Sequence, residues 1–185
     1  MGTRTPLDVA RRCLCLELLG QRMLLETDTD DPLTEREAAR RAWTTRTRDL
    51  GVDDALLPEE RALLDRAVAG LTEDELDDLH GRVTGGLVLL WAIGRIDTRP
   101  SFASVDALEA TLSECGLLGD GSISRAKAAA EAARLRDPVE LEAALTAYAQ
   151  RRGLARDTED PEKIFAGIAT HHLEWVVDSD MTFET

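Results

Sequence analysis

The most restrictive feature of this sequence is the apolar run T-G-G-L-V-L-L-W-A-I-G at residues 84–94, which opens with two adjacent glycines. Thr72 and Glu75 precede it with the spacing of a capping box, so the pattern predicts a helix over residues 72–95. From Leu87 to Ile93 this helix is apolar on most sides, and such a helix is buried. We therefore expect a central helix with other helices packed around it.

The two glycines, Gly85 and Gly86, lie inside this predicted central helix. Each glycine in a helix interior costs roughly 1 kcal/mol relative to alanine, so their position needs a compensating reason. One interpretation is close packing, because a position without a side chain lets a neighbouring element approach. The other interpretation is that the missing side chains leave room for a ligand.

Helix start and stop signals follow one another along almost the whole chain. We predict the other helices from Thr5-Pro6 to near Thr27, from the Thr34/Glu37 capping box to Leu50-Gly51, from Pro58 onward, from Ser104 to Cys115-Gly116, from Ser124 to near Arg136, from Asp137-Pro138 to Gly153, and from Asp160-Pro161 onward. Gly119–Ser122 is interpreted as a turn, and residues 179–185 as a non-helical tail. Strand-like alternation is absent from the sequence. We expect an all-α fold, with residues 1–185 in one compact helical domain of about eight helices.

The charge balance limits the classes of partner. The chain carries 22 basic and 36 acidic residues, a formal net charge of −14, with 43% hydrophobic residues to build a core. Such a charge disfavours nucleic acid and anionic membranes and is compatible with a basic protein partner. We find no apolar run long enough to span a membrane. Three cysteines do not suggest a disulfide framework; we interpret them as small buried apolar residues and expect a cytoplasmic protein.

No common catalytic or phosphate-binding motif is present in the sequence. His171 and Glu174 share a helix face, but the sequence does not supply the paired Glu-x-x-His motifs of a dinuclear centre, so we predict no metal and no cofactor. A candidate site for a ligand or partner lies between the central and last helices, and its residues are Arg82, Trp91, His171, His172 and Glu174. A buried Arg82 would offer a planar fork of donors to an anion, or form a structural salt bridge.

Several short stretches resemble one known family. They are Leu89–Gly94 with Arg82 before it and Ile96-Asp97 after it, Val9–Arg12 leading to Leu24–Glu26, Leu57–Arg61, and Leu173–Trp175 followed by Glu184-Thr185. In order and spacing they are similar to the bacterial domain-of-unknown-function 4272 family. That family usually has tryptophan and glutamate where this chain has Gly81 and Thr84. The resemblance implies an all-helical, cytoplasmic bacterial protein and brings no activity with it.

Three classes of function remain open on the sequence alone. The first is a non-catalytic protein-binding module with an acidic surface, for example an immunity-like or inhibitory protein whose encounter with a basic partner is steered by charge. The alternative is an enzyme or small-ligand binder that uses the candidate site between the central and C-terminal helices. The third is a structural or assembly role. The acidic charge and the missing catalytic motifs lead us to expect the first class.

Overall fold

The structure is a computed structural model that describes residues 2–105, 107–118, 122–154 and 160–182. Helices account for most of these residues, and no strand occurs among them. The α-helices are α1 (Pro6–Thr27), α2 (Leu33–Leu50), α3 (Pro58–Asp65), α4 (Glu73–Ala92), α5 (Leu108–Cys115), α6 (Ile123–Glu131), α7 (Pro138–Leu154) and α8 (Pro161–Val177). Short 3₁₀ turns cover Asp53–Ala55 and Phe102–Ser104. The all-α prediction is confirmed.

The predicted caps of α1, α4 and α8 are confirmed. The Thr5 hydroxyl accepts from the Asp8 amide at 3.1 Å, and the Thr72 hydroxyl accepts from the Glu75 amide at 3.3 Å. Both pairs complete a capping box, while the Asp160 carboxylate caps α8. These caps satisfy amide groups that the first turn of a helix leaves without an intrahelical acceptor. They form between residues close in sequence, which is why local patterns predict them.

The capping box predicted for α2 is wrong. This helix begins at Leu33 with Pro32 at the cap position, so Thr34 lies inside its first turn. Glu37, which the pattern assigned to the box, instead accepts a hydrogen bond from the Val68 amide at 3.0 Å and pairs with an arginine on its own helix. A long-range partner for Glu37 therefore replaces the local one that the spacing predicted.

The helix predicted to begin at Ser104 also starts elsewhere. Residues Phe102–Ser104 form a 3₁₀ turn, and α5 begins only at Leu108, although it ends at the predicted Cys115-Gly116 stop. The Ser104 hydroxyl accepts from the Ser101 amide at 3.1 Å, so it closes this turn instead of capping a helix.

The boundaries of α6 differ from the prediction at both ends. The cap position is Ser122 and not Ser124, and the helix ends at Glu131 and not near Arg136. Arg136 lies beyond the helix, where its amide donates at 2.9 Å to the carbonyl of Ala92, the last residue of α4. Of the predicted turn at Gly119–Ser122, residues 119–121 lie outside the described part of the chain. In the tail, residues 178–182 are non-helical, and residues 183–185 are not described.

Two helices, and not one, form the centre of the fold. As predicted, α4 is buried from Leu87 to Ile93, and its burial extends back to Arg82. The helix packs against α1, α5 and α8. The helix itself ends at Ala92, with Ile93 as its cap and Gly94 in a left-handed conformation at φ +73°. Helix α1 is buried from Arg12 through Gly20 and contacts α2, α3, α4 and α6. The charged residues along α1 concealed this second central helix in the sequence.

The glycine pair on α4 has two different structural roles. A methyl group on Gly85 would meet the His172 imidazole at 2.1 Å, so this position admits a ring from α8 against the helix backbone. A methyl group on Gly86 would lie 3.5 Å from the Leu16 Cβ atom on α1, which is an ordinary contact distance. The packing interpretation therefore describes Gly85 specifically, and the neighbour that approaches is a side chain.

We expect Gly85→Ala and Gly86→Ala to change stability in different directions. Gly85→Ala should lower the free energy of unfolding by about 1–3 kcal/mol, since the overpacked imidazole must move, even though alanine favours helix. Gly86→Ala should be neutral or stabilising by up to about 1 kcal/mol. Urea denaturation of both variants checks this, and equal losses in the two would contradict the assignment.

Candidate functional site

Arg82, the predicted anion clamp, is buried and its guanidinium faces carboxylates of this chain. Its Nε donates to Asp78 at 2.9 Å, its Nη1 donates to Glu60 at 3.3 Å, and Glu59 lies 3.6 Å from the same nitrogen. Burial would lower the pKa of Arg82, but Asp78 and Glu60 raise it above its ordinary value. Of the two interpretations of Arg82, the structure therefore shows the structural salt bridge.

Glu60 is the centre of this charged network and is fully buried at the start of α3. Arg12 on α1 forms a bidentate pair with it, at 2.7 Å and 2.5 Å, and the Leu57 amide donates to it at 3.0 Å. Burial would raise the pKa of Glu60, but the hydrogen bonds and charge of Arg12, with Arg82 adding to them, bring that pKa below its ordinary value. The ionised carboxylate thus connects α1, α3 and α4.

His172 lies in the core between α8 and α4. Its Nδ1 is 2.8 Å from the Ile168 carbonyl one turn earlier on α8. Burial, with the nearby charges of Arg12 and Arg82, lowers the pKa of His172 to about 3. The ring is therefore neutral at physiological pH, and its function as a proton donor near neutrality is disfavoured.

His171 and Glu174 lie toward the outer side of α8. The two neighbouring histidine rings are edge to face, with centroids 5.7 Å apart. Burial lowers the pKa of His171, which is partly buried. The negative charge of Glu174 raises this pKa, and the positive charges of Arg12 and Arg152 lower it further. Glu174 itself is exposed. The structure thus brings Arg82, His171 and His172 near one another, with Glu174 at the surface beside them.

Trp91 lies at the other end of α4, nine residues and therefore about 13.5 Å along the helix from Arg82. It is 2% exposed, and the Arg136 guanidinium lies 4.9 Å from the centre of its ring. Arg136 also donates to the carbonyls of Trp91 at 2.7 Å and Ile96 at 2.8 Å, which closes the end of α4. Trp91 is therefore about two and a half helical turns from Arg82, the other predicted site residue on α4. A ligand-binding role for the five predicted residues stays a prediction.

A cavity that the sequence did not predict lies on the opposite side of α4, between α1, α4 and α5. Its volume is about 480 Å³. We call it the α1/α4/α5 cavity, and its lining residues are Glu17, Gly20, Gln21, Met23, Leu24, His80, Val83, Val105, Leu108, Leu112, Ser113 and Leu118. Most of these are apolar, and the exposed polar members His80 and Ser113 lie where the cavity meets the surface.

Glu17 is the buried acid of this cavity and is 5% exposed. Its two carboxylate oxygens accept from the amides of Leu117 at 2.8 Å and Leu118 at 2.7 Å, just after α5. A methyl group on Gly116 would meet the carboxylate at 2.7 Å, so glycine lets this segment approach. Burial raises the pKa of Glu17 to about 7, although both amides and the charge of Arg95 lower it.

Sequence reasoning missed Glu17, Arg12 and Glu60. One signal was available for Glu17, because it is the only charged residue in the run C-L-C-L-E-L-L at residues 13–19. An acid enclosed by apolar positions on both sides of a helix must find hydrogen-bond partners when it is buried. Its partners, however, are a hundred residues away, and local patterns do not identify them.

Two further properties concern the part of the chain that the structure describes. No group of three or more histidine, cysteine, aspartate or glutamate residues in it is arranged to hold a metal ion. None of its helices combines the length and apolarity of a membrane-spanning segment.

Comparison with known proteins assigns the family. The model of the family described as Domain of unknown function (DUF4272) matches residues 1–184, and the chain belongs to this family. The resemblance noted in the sequence is thereby confirmed. No curated protein and no solved structure matches the chain.

We expect Glu60→Gln to destabilise the fold strongly. Removing one partner of a buried ion pair leaves the other charge uncompensated, which costs about 3–5 kcal/mol of unfolding free energy. The adjacent Glu59→Gln is the matched control, because its half-exposed carboxylate should contribute less than about 1 kcal/mol. Urea denaturation of the two variants measures the difference, and a loss below about 1 kcal/mol for Glu60→Gln would contradict the network.

We expect the ionisation of Glu17 to make the free energy of unfolding depend on pH. Its pKa is raised from 4.5 to about 7 on folding, so the folded state binds its proton more tightly than the unfolded state does. The stabilisation that this tighter proton binding gives to the folded state is fully present below pH 4.5. It is lost as pH rises through 7, which lowers the free energy of unfolding by up to about 3 kcal/mol. The unfolding free energy of the wild type minus that of Glu17→Gln should therefore fall over this interval.

The control for this measurement is Glu114→Gln, which removes an exposed carboxyl from the neighbouring helix α5. That variant should follow the wild type across the same pH range. A wild-type curve parallel to that of Glu17→Gln would show that Glu17 titrates alike in the folded and unfolded states.

Proposed function

We propose that this protein binds a small molecule in the α1/α4/α5 cavity. The observation that carries the proposal is a volume of about 480 Å³ with a mostly apolar lining and a single buried carboxyl, that of Glu17. Ligand sites in proteins typically measure about 300–1,000 Å³ and combine apolar walls with a few placed polar groups. A carboxyl whose pKa is raised to about 7 in such a cavity is also typical of functional sites.

The proposed site differs from the one expected from sequence. The side of α4 that faces α8 is occupied by the Arg82 network and by the imidazole of His172. The side that faces α5 leaves space next to Val83, Leu108 and Leu112. The small-ligand alternative is thus supported on the other face of the same central helix.

Binding to a basic protein, in an immunity-like or inhibitory role, is the second candidate function. The net charge of −14 favours it, because a strongly acidic surface accelerates encounter with a cationic partner. Exposed carboxylates in the first turns of α4, on Glu73, Asp74 and Asp77, contribute to that surface. Binding to a basic protein ranks second because an acidic surface also keeps a protein soluble and does not identify a particular binding site.

We further propose that the protein works in a reducing compartment such as the cytoplasm. Cys13, Cys15 and Cys115 are free thiols, and the first two are buried on α1. Cys115 is half-exposed and not buried as the sequence suggested. An accessible free thiol is better preserved where disulfide formation is disfavoured.

Titration with hexanol, followed by methyl NMR, tests the binding function. Hexanol should shift the methyl signals of Met23, Val83, Leu108 and Leu112, with a dissociation constant of about 1 mM or tighter. Leu112→Phe should weaken binding at least about tenfold by filling the cavity. Leu145→Phe, at a partly buried leucine of α7, is the matched control and should leave binding unchanged. Methyl shifts spread evenly over the protein, or none at all, would contradict the proposal.

A further inference from the structure

We infer that the ligand of the α1/α4/α5 cavity is an amphipathic amine, with a positively charged nitrogen at Glu17 and an apolar body along the cavity wall. This inference rests on the proposed function and adds the chemical class of the ligand. It follows from the hydrogen-bonding capacity of Glu17, the charges around it and the order of polar and apolar residues in the cavity.

The Glu17 carboxylate has unused acceptor capacity. Each carboxylate oxygen can accept two hydrogen bonds, and one backbone amide, Leu117 or Leu118, occupies one position on each. The two amides fix the orientation of the carboxylate and leave the other acceptor positions for a donor entering the cavity. A group that is an acceptor only would be repelled by the ionised carboxylate.

The ionised carboxylate of Glu17 is stabilised mainly by hydrogen bonds from neutral backbone amides. The hydrogen bonds that lower its pKa come from the backbone amides of Leu117 and Leu118. The positive charge that lowers the pKa of Glu17 is that of Arg95, whose Nε donates to the Cys115 carbonyl at 3.1 Å on the same segment that Glu17 binds. By contrast, Glu60 is equally enclosed and pairs directly with Arg12. A cationic ligand would give Glu17 a direct positively charged partner, as Arg12 does for Glu60.

The remaining lining residues define the rest of the ligand. Buried apolar groups from α4, α5 and the segment after α5, namely Val83, Leu108 and Leu118, line the same cavity as the acid. They favour an aliphatic or aromatic body joined directly to the amine, because burying apolar area contributes about 25 cal/mol per Å². The exposed polar residues His80 and Ser113 lie toward solvent, so a second polar group at the far end of the ligand would stay hydrated.

Three probes of equal chain length, hexylamine, hexanol and hexanoate, test the chemical class by methyl NMR at physiological ionic strength. Hexylamine should bind at least about tenfold more tightly than hexanol, because hydrogen bonds to an ionised carboxylate are the stronger ones. Hexanoate should bind at least about tenfold more weakly than hexanol. Glu17→Gln should remove the preference for the amine, so that hexylamine binds no more tightly than hexanol.

The acidic surface attracts any cation, so a matched control is needed. Glu114→Gln removes the same charge from the exposed side of α5 and should preserve the preference for hexylamine. If hexanol and hexylamine bind the cavity equally, the amine inference fails and the proposed function stands. If none of the three probes shifts the cavity methyl groups, the proposed function fails as well.

A second measurement needs no substitution at Glu17, in case that variant does not fold. Hexylamine affinity in the wild type should rise with pH as Glu17 ionises around pH 7, while hexanol affinity stays constant. The other charged or titratable groups near this acid are His80 on α4, Arg95 after α4 and Cys13 one turn earlier on α1. His80→Gln should retain the pH profile, and its loss in that variant would overturn the assignment to Glu17.

Discussion

The structure depends above all on three buried charged side chains of α1 that bind groups from other parts of the chain. Arg12 pairs with Glu60, Glu17 accepts two amides beyond α5, and Arg22 donates to carbonyls at the end of α3. A buried charge is costly unless hydrogen bonds or an opposite charge compensate it. Each contact therefore fixes how a neighbouring segment packs against α1: the start of α3, the segment after α5 or the end of α3. A helix that carries charged residues among its apolar ones thus becomes, with α4, the centre of the fold.

These contacts also explain how backbone groups at helix ends are satisfied. Arg22 donates to the carbonyls of Leu63 and Ala67, and Arg136 donates to that of Trp91 at the end of α4. The last carbonyls of a helix have no intrahelical donor, and a buried end needs one from elsewhere. Long arginine side chains supply these donors across several ångströms. The helices are thus connected through charged groups as well as through apolar packing.

Local sequence patterns predicted what depends on neighbouring residues and failed where a distant residue decides. The cap at Thr72, the burial of Leu87 to Ile93 and the start of α8 all follow from signals within a few positions, and all are confirmed. Glu37 fits the capping-box spacing equally well, yet it binds the Val68 amide in another element. The role of Glu17 is likewise set a hundred residues away, so the cavity was beyond prediction from spacing.

The two faces of α4 differ in how completely their charges are compensated, and this difference bears on where a ligand can act. Toward α8, Arg82 meets carboxylates of its own chain, and His172 is neutral and packed onto Gly85. A ligand there would have to displace contacts that the fold itself needs. Toward α5, a cavity is already open and its acid is compensated chiefly by backbone amides. A cationic ligand on that side would add a charge partner without removing an existing one, so its binding would cost the fold less.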